Sequence, residues 1–204
     1  MKSNVMPTSS QAKPSPASMR RRVTLRLCYA AMGVVLLAVC SWISVPFFAV
    51  PFTMQTFAVC FVVGLMGTKW GFVTILAYIG LGALGVPVFS GFGGGVGTLI
   101  GVTGGYIVGF LATALVAGPL YRLAKDNLVW GFLAMLAGIV ACYILGTLWF
   151  MFVAGNFTWQ GLGSALLACV APFVAFDMGK IVLAQLLLKR LKPLVARSLA
   201  EPAK

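Results

Sequence analysis

Histidine is absent from this 204-residue chain, and acidic side chains nearly so, with only Asp126, Asp177 and Glu201. Without histidine there is no Ser/His/Asp relay, none of the usual zinc sites and no His-ligated haem. Three scattered carboxylates cannot build a paired-carboxylate hydrolase or a two-metal centre. Charge of any kind is scarce, 9% of residues against roughly 25% in a soluble domain. The five cysteines (Cys28, Cys40, Cys60, Cys142 and Cys169) stand singly in apolar stretches with no CxxC. They read as small hydrophobes, not as ligands or disulfides. The composition calls for no cofactor and no metal.

What is there is apolar. Hydrophobic residues make up 61% of the chain, and its mean hydropathy is +1.03. A spanning helix takes about 20 mostly apolar residues, so the length has room for six once loops are counted. The fold class expected is all-α, a polytopic six-helix bundle in the lipid bilayer.

The net charge of +12 could suggest nucleic acid, but the placement of the charges argues for basic flanks that orient a membrane protein. Six of the fifteen basic residues lie in the first 26 positions and five more from Lys189 to Lys204. Between them, Lys69 falls in one connection and Arg122, Lys125 and Asp126 in another, while the stretches 45–52, 87–103 and 154–162 carry no charge. Fourteen of the fifteen therefore fall on one side, which the positive-inside bias makes cytoplasmic, both termini included. A multi-pass protein of the prokaryotic cytoplasmic (inner) membrane is expected.

Residues 1–22, rich in Ser, Pro, Ala and Lys, read as a disordered basic cytoplasmic tail. Residues 23–192 make the transmembrane domain, and 193–204 a basic cytoplasmic C-terminal tail. Helix 1 is expected over 23–45, too long for a signal-peptide core. Pro46 and Pro51 then interrupt the chain. A short helix follows over 53–66, then a tight turn at Gly67-Thr68-Lys69 and a helix over 70–85. Residues 87–101 read as loop, and further helices are expected over 104–120, 129–153 and 163–191, with a turn at Gly155-Asn156. Small residues recur every fourth position at Gly101, Gly105, Gly109 and Thr113, at Ala134, Gly138, Cys142 and Gly146, and at Ala171, Ala175 and Gly179. Such stripes let membrane helices approach closely.

Asp177 and Lys180 are the charges inside a spanning segment. Each is expensive there, which marks them as candidate ligand groups, although an internal ion pair that only neutralises itself is the competing reading. Three residues apart, they share a helix face with Phe173 and Ala184, and Pro172 should kink the helix just before them. Eight of the fifteen residues from 91 to 105 are glycine. No register gives GxGxxG and no Walker A is present. The segment, with Gly94, Gly104, Gly105 and the neighbouring Thr103 and Tyr106, reads as an ordered outer lid whose backbone can approach a small molecule. Thr53, Gln55 and Thr56 open the second helix, and a buried Gln55 amide would need partners.

The runs Pro51-Phe52-Thr53-Met54-Gln55-Thr56-Phe57-Ala58-Val59, Leu84-Gly85-Val86-Pro87-Val88-Phe89, Thr103-Gly104-Gly105-Tyr106-Ile107-Val108-Gly109-Phe110 and Asp177-Met178-Gly179-Lys180 closely resemble the BioY biotin transporters, in order and with matching spacing over 23–192. These are the substrate-binding S components of energy-coupling factor (ECF) importers. The resemblance implies a six-helix S component that binds biotin near the outer face. It also implies a transmembrane coupling subunit and two ATPase subunits as partners. Asp177 would take an N–H of biotin, Lys180 an anionic or carbonyl group, and Gln55, Thr53 and Tyr106 would be neutral partners. Helix 1 departs from the A-x-x-x-A pattern of many S components: Ala30, Ala31, Gly33 and Ala38 are small but no alanine pair has that spacing. The alternative is a self-sufficient ion-coupled carrier of biotin or another small vitamin, using Asp177. An intramembrane enzyme is the reading the missing histidines disfavour. Whether the chain forms a homo-oligomer stays open.

Overall fold

The computed structural model describes residues 16–46, 50–125, 127–155 and 158–200. Expectations placed on residues 1–15, 47–49 and 201–204, on Asp126 and Asn156, and on the Cys169 side chain lie outside the described residues.

Long apolar runs close their own backbone hydrogen bonds as helices, which a hydrocarbon surrounding demands. The described chain runs through α1 (Pro16–Trp42), β1 (Ser44–Val45), β2 (Phe52–Thr53), α2 (Gln55–Ala83), α3 (Val96–Ile100), α4 (Gly104–Leu123), α5 (Leu128–Ala154), α6 (Trp159–Cys169) and α7 (Ala171–Ala200). Five of these helices, α1, α2, α4, α5 and α7, have the length and composition to cross a membrane. Large apolar side chains such as Met32, Leu115, Ile144, Leu167 and Leu183 stand exposed around them, a surface suited to lipid and not to water.

The second of the five is not a single rod. Gly67 has φ 75° and ψ 179°, a conformation open essentially to glycine alone. On a continuous helix Gln55 and Tyr78 would stand roughly 35 Å apart, yet the Gln55 amide donates to the Tyr78 hydroxyl at 2.7 Å. Thr74 likewise bonds the Met66 sulfur across the turn, and a Cβ at Gly71 would lie 3.1 Å from the Val63 Cα. The chain therefore folds back at Gly67 into two antiparallel arms, which correspond to the helices expected over 53–66 and 70–85.

Several boundaries differ from the sequence expectation. α1 begins at Pro16, inside the expected tail, because proline is tolerated in a first turn and the Arg20–Arg22 run is a good helix former. It ends at Trp42, and the stretch around Pro46 and Pro51 makes a small ribbon in which Ser44 pairs with Thr53 and Val45 with Phe52. The run expected as one helix over 163–191 is divided at Val170 (φ −126°, ψ −54°). Pro172 sits in the first turn of α7, where its missing N–H leaves no bond unmade, and α7 continues to Ala200 through the expected C-terminal tail.

The segment expected as loop over 87–101 holds a 3-10 turn (Ser90–Phe92) and α3. It is tied down at several points. The Val88 carbonyl accepts from Ser41 (2.6 Å) and Tyr78 (2.9 Å). The Trp42 indole donates to the Pro87 carbonyl and the Trp149 indole to that of Gly101. Phe89, 1% exposed, packs edge-on against Tyr78.

Two of the three small-residue stripes pack against each other. Gly109 meets Cys142, Gly138 meets Thr113 and Ala117, and Gly146 meets Tyr106. At this range Thr113 donates to the Gly138 carbonyl at 3.0 Å, and the Cys142 thiol to the Tyr106 carbonyl at 3.4 Å. The third stripe, Ala171, Ala175 and Gly179, is exposed on α7, whose packed face is the one carrying Phe173 and Asp177.

Gly67→Ala isolates the cost of the hairpin, since a Cβ there meets nothing within 4 Å. The substitution should destabilise the protein by about 1–3 kcal/mol through backbone strain alone. Gly80→Ala, equally unobstructed but helical, should be neutral or stabilising. Thermal unfolding in detergent checks the pair; equal melting temperatures would remove the strained turn.

Candidate functional site

The buried stripe of α7 comprises Phe173, Asp177, Lys180 and Ala184, with Asp177 3% and Lys180 6% exposed. The ammonium lies 2.7 Å from Asp177 Oδ1. It also donates to the Thr53 carbonyl (2.7 Å) and to Thr56 Oγ1 (3.2 Å), and stands 4.0 Å from the centroid of the Phe52 ring. An ammonium has three N–H groups, and here all three have acceptors in the protein.

The carboxylate is less fully occupied. Oδ1 accepts from Lys180 and from Thr56 (2.8 Å), and Oδ2 from the Tyr143 hydroxyl. A carboxylate offers about four acceptor directions, so one on Oδ2 remains. Three elements supply these partners: the start of α2, the middle of α5 and α7. A charge pair in so apolar a bundle persists because each end is hydrogen-bonded.

Asp177 and Lys180 form part of the wall of a cavity of about 240 Å³. Val50, Phe89, Ile107, Phe110 and Phe173 give it apolar sides, while Thr53, Gln55, Thr56, Ser90, Thr98, Thr103, Tyr106 and Tyr143 add hydroxyls and an amide. The segment 87–101, which forms a cap over the bundle, contributes Phe89, Ser90 and Thr98 to the lining. A polar chain joins the charge pair to that cap: the Thr53 hydroxyl donates to the Gln55 side-chain amide oxygen, the Gln55 amide nitrogen to the Tyr78 hydroxyl, and Tyr78 to the Val88 main-chain carbonyl. Such a space suits a small molecule with one hydrogen-bonding head and an apolar body.

Five residues proposed from the sequence meet at this cavity: Thr53, Gln55, Tyr106, Asp177 and Lys180. Gly94, Gly104 and Gly105 are not among its lining. Each instead permits a close approach, Gly94 to the Gly85 and Val86 carbonyls, Gly104 to the Leu99 carbonyl and Gly105 to Trp149. Sequence reasoning missed Tyr143. A hydroxyl in the middle of an apolar helix needs a partner, and that was the available signal.

Comparison with known proteins gives a consistent picture. A family model described as the BioY family matches residues 9–197. A protein of Thermotoga maritima named biotin transporter BioY is 39% identical, over 83% of this chain and 96% of its own. A probable biotin transporter BioY of Pyrococcus horikoshii is 36% identical, over 79% and 93%. The fold is similar to the crystal structure of the S-component for biotin from an ECF-type ABC transporter, with a TM-score of 0.72 at 24% identity, over 89% of this chain and 95% of that one.

The ion pair sets up a thermodynamic cycle. Asp177→Asn and Lys180→Met should each destabilise the protein by about 3–5 kcal/mol, because each leaves one buried charge uncompensated. The double variant restores neutrality and should recover most of that loss. Melting temperatures of the four proteins in one detergent check this. Additive losses would mean the two charges do not interact.

Proposed function

Because the chain belongs to the BioY family, we propose that it is a biotin-binding S component of an ECF-type importer, taking up the vitamin across the prokaryotic cytoplasmic membrane. The observation that carries this reading is the buried Asp177–Lys180 pair set in the wall of a cavity beneath an ordered cap. Biotin has a ureido ring with two N–H donors, an apolar sulfur ring and a carboxylate tail. The acceptor direction left on Asp177 Oδ2 takes a ureido N–H. Lys180, whose donors are committed to Thr53, Thr56 and Asp177, neutralises and orients the carboxylate, and meets a carbonyl or anionic group of biotin only by giving up one of those bonds. Thr53, Gln55 and Tyr106 act as neutral partners. Gly94, Gly104 and Gly105 serve by letting the cap lie close to the bundle.

Two arms of α2 with α1, α4, α5 and α7 make six crossings. Contacts between Arg26 and Trp70, between Tyr29 and Ser198, and between Gly118 and Thr68 bring the basic ends of these helices together. That end is cytoplasmic by the positive-inside bias, with both termini, and the cavity lies toward the other face. Energy comes from partner subunits, a transmembrane coupling protein and two ATPases. A self-sufficient carrier that cycles a proton on Asp177 fits less well, since that carboxylate already accepts from Lys180, Thr56 and Tyr143.

Radiolabelled biotin should bind the purified chain at equilibrium without ATP, and the chain alone should hydrolyse none. The Asp177→Asn/Lys180→Met double variant should recover stability yet bind at least tenfold more weakly. A double variant that binds biotin like the parent would make the pair purely structural.

Topology is checked separately, by single cysteines in a Cys-free background. Cysteines at Ser90 should react with a membrane-impermeant thiol reagent from outside intact cells, and those at Lys69 and Lys125 should not. Labelling of all three from one side would end the six-crossing arrangement.

A further inference from the structure

Among the described residues that line the cavity, Lys180 is the single cation. Its three N–H groups already have acceptors in Asp177, Thr56 and the Thr53 carbonyl. The connections at this end of the bundle supply no other: the stretches 45–52, 87–103 and 154–162 carry no charged residue. A ligand with an anionic tail therefore meets no uncommitted positive charge here.

What the cavity offers away from the charge pair is hydroxyls. Asp177 accepts from Tyr143, and the adjacent Cys142 faces Gly109 of α4, where a Cβ would come within 2.8 Å of the thiol sulfur. Thr103, at the start of α4, lies six residues or about 9 Å back along that helix. An extended biotin, bicyclic head and five-carbon tail, covers such a span. Ser90 and Thr98 line the same cavity from the cap, and a Cβ at Gly93 would lie 3.2 Å from the Ser90 carbonyl and 3.6 Å from the Thr98 hydroxyl. Thr98 donates to the Gly94 carbonyl at 3.1 Å, so its oxygen offers a ligand acceptor capacity. A serine or threonine hydroxyl can otherwise turn to donate or to accept.

We propose that the site selects its ligand by the cyclic urea head and is indifferent to charge at the tail, so that it takes biotin and its tail-neutral derivatives, the primary amide and the methyl ester, alike. The inference deepens the biotin reading above and rests on it. With a ureido N–H on Asp177 Oδ2, the tail extends toward Ser90, Thr98 and Thr103. Those hydroxyls serve a carboxylate as donors and an amide N–H as acceptors, so their chemistry favours neither. A cation would break that balance, because a charge-assisted hydrogen bond changes affinity by about tenfold to a hundredfold. A carboxylate that leaves water without meeting a cation has no such advantage.

The test is displacement of radiolabelled biotin from the full chain purified in detergent. Unlabelled biotin, biotinamide and biotin methyl ester should act at concentrations within tenfold of one another. Biotin methylated on both ureido nitrogens, which keeps the carboxylate and loses the donors, should need at least tenfold more than biotin. Ser90→Lys, which sets a cation in the cap, should shift the ratio tenfold or more in favour of biotin over its amide. The ligand series on the unsubstituted protein decides by itself should that variant fail to fold. An amide or ester weaker than biotin by tenfold or more, a dimethylated biotin that binds within tenfold of the parent compound, or a folded Ser90→Lys protein with a smaller shift would each overturn the inference. Tight biotin binding beside a weak amide defeats this inference alone, whereas no saturable binding of biotin defeats the biotin reading and this inference with it.

Discussion

Much of this structure is arranged around placing one ammonium and one carboxylate in an apolar bundle. Unpaired, either charge would be severely destabilising there; paired at 2.7 Å and hydrogen-bonded, they persist. The hydrogen bonds come from separate parts of the chain. Thr53 offers its carbonyl because a short ribbon ends there, Thr56 because a helix begins beside it, and Tyr143 because α5 turns that face inward. The pair is thus a junction of three elements as well as a feature of α7. This makes the same residues structural and cavity-lining at once. The asymmetry between them is informative: the ammonium has spent its donors on the protein, while the carboxylate keeps one acceptor direction toward the cavity.

Glycine makes this arrangement compact enough to work. The turn at Gly67 brings Tyr78 back to Gln55, and the same tyrosine then holds the Val88 carbonyl of the cap. The floor of the cavity and its lid are therefore connected through a short chain of hydrogen bonds. Along α4 and α5, glycine opposite threonine, cysteine or tyrosine allows backbone-distance packing, so Thr113 and Cys142 find carbonyls on the facing helix. In a hydrocarbon surrounding, where apolar burial gives no preference for protein over lipid, such close contact and interhelical bonding hold helices together.

The two ends of the bundle are chemically distinct. One end has connections without charge and carries the cap and the cavity; the other gathers the lysines and arginines.

The sequence by itself determined the class of the protein and the residues worth suspecting. Long apolar runs cannot be anything but helices in lipid, charge counts order their ends, and a lone Asp–Lys pair at i, i+3 inside such a run is conspicuous because burial makes it costly. Thr53, Gln55, Tyr106, Asp177 and Lys180 were legible in that way, and all five face one cavity. Boundaries were less legible. Pro16 and the arginines after it sustain a helix where composition suggested a tail, and Pro172 starts a new helix where hydropathy saw one run. What only the tertiary structure decided was which donors complete the pair and what the glycines do. Tyr143 reaches Asp177 from 34 residues away, and Gly94, Gly104 and Gly105 face backbone or tryptophan and not the cavity. Periodicity reports which face of a helix is inward, but only the packing of separate helices fixes which atom lies opposite which.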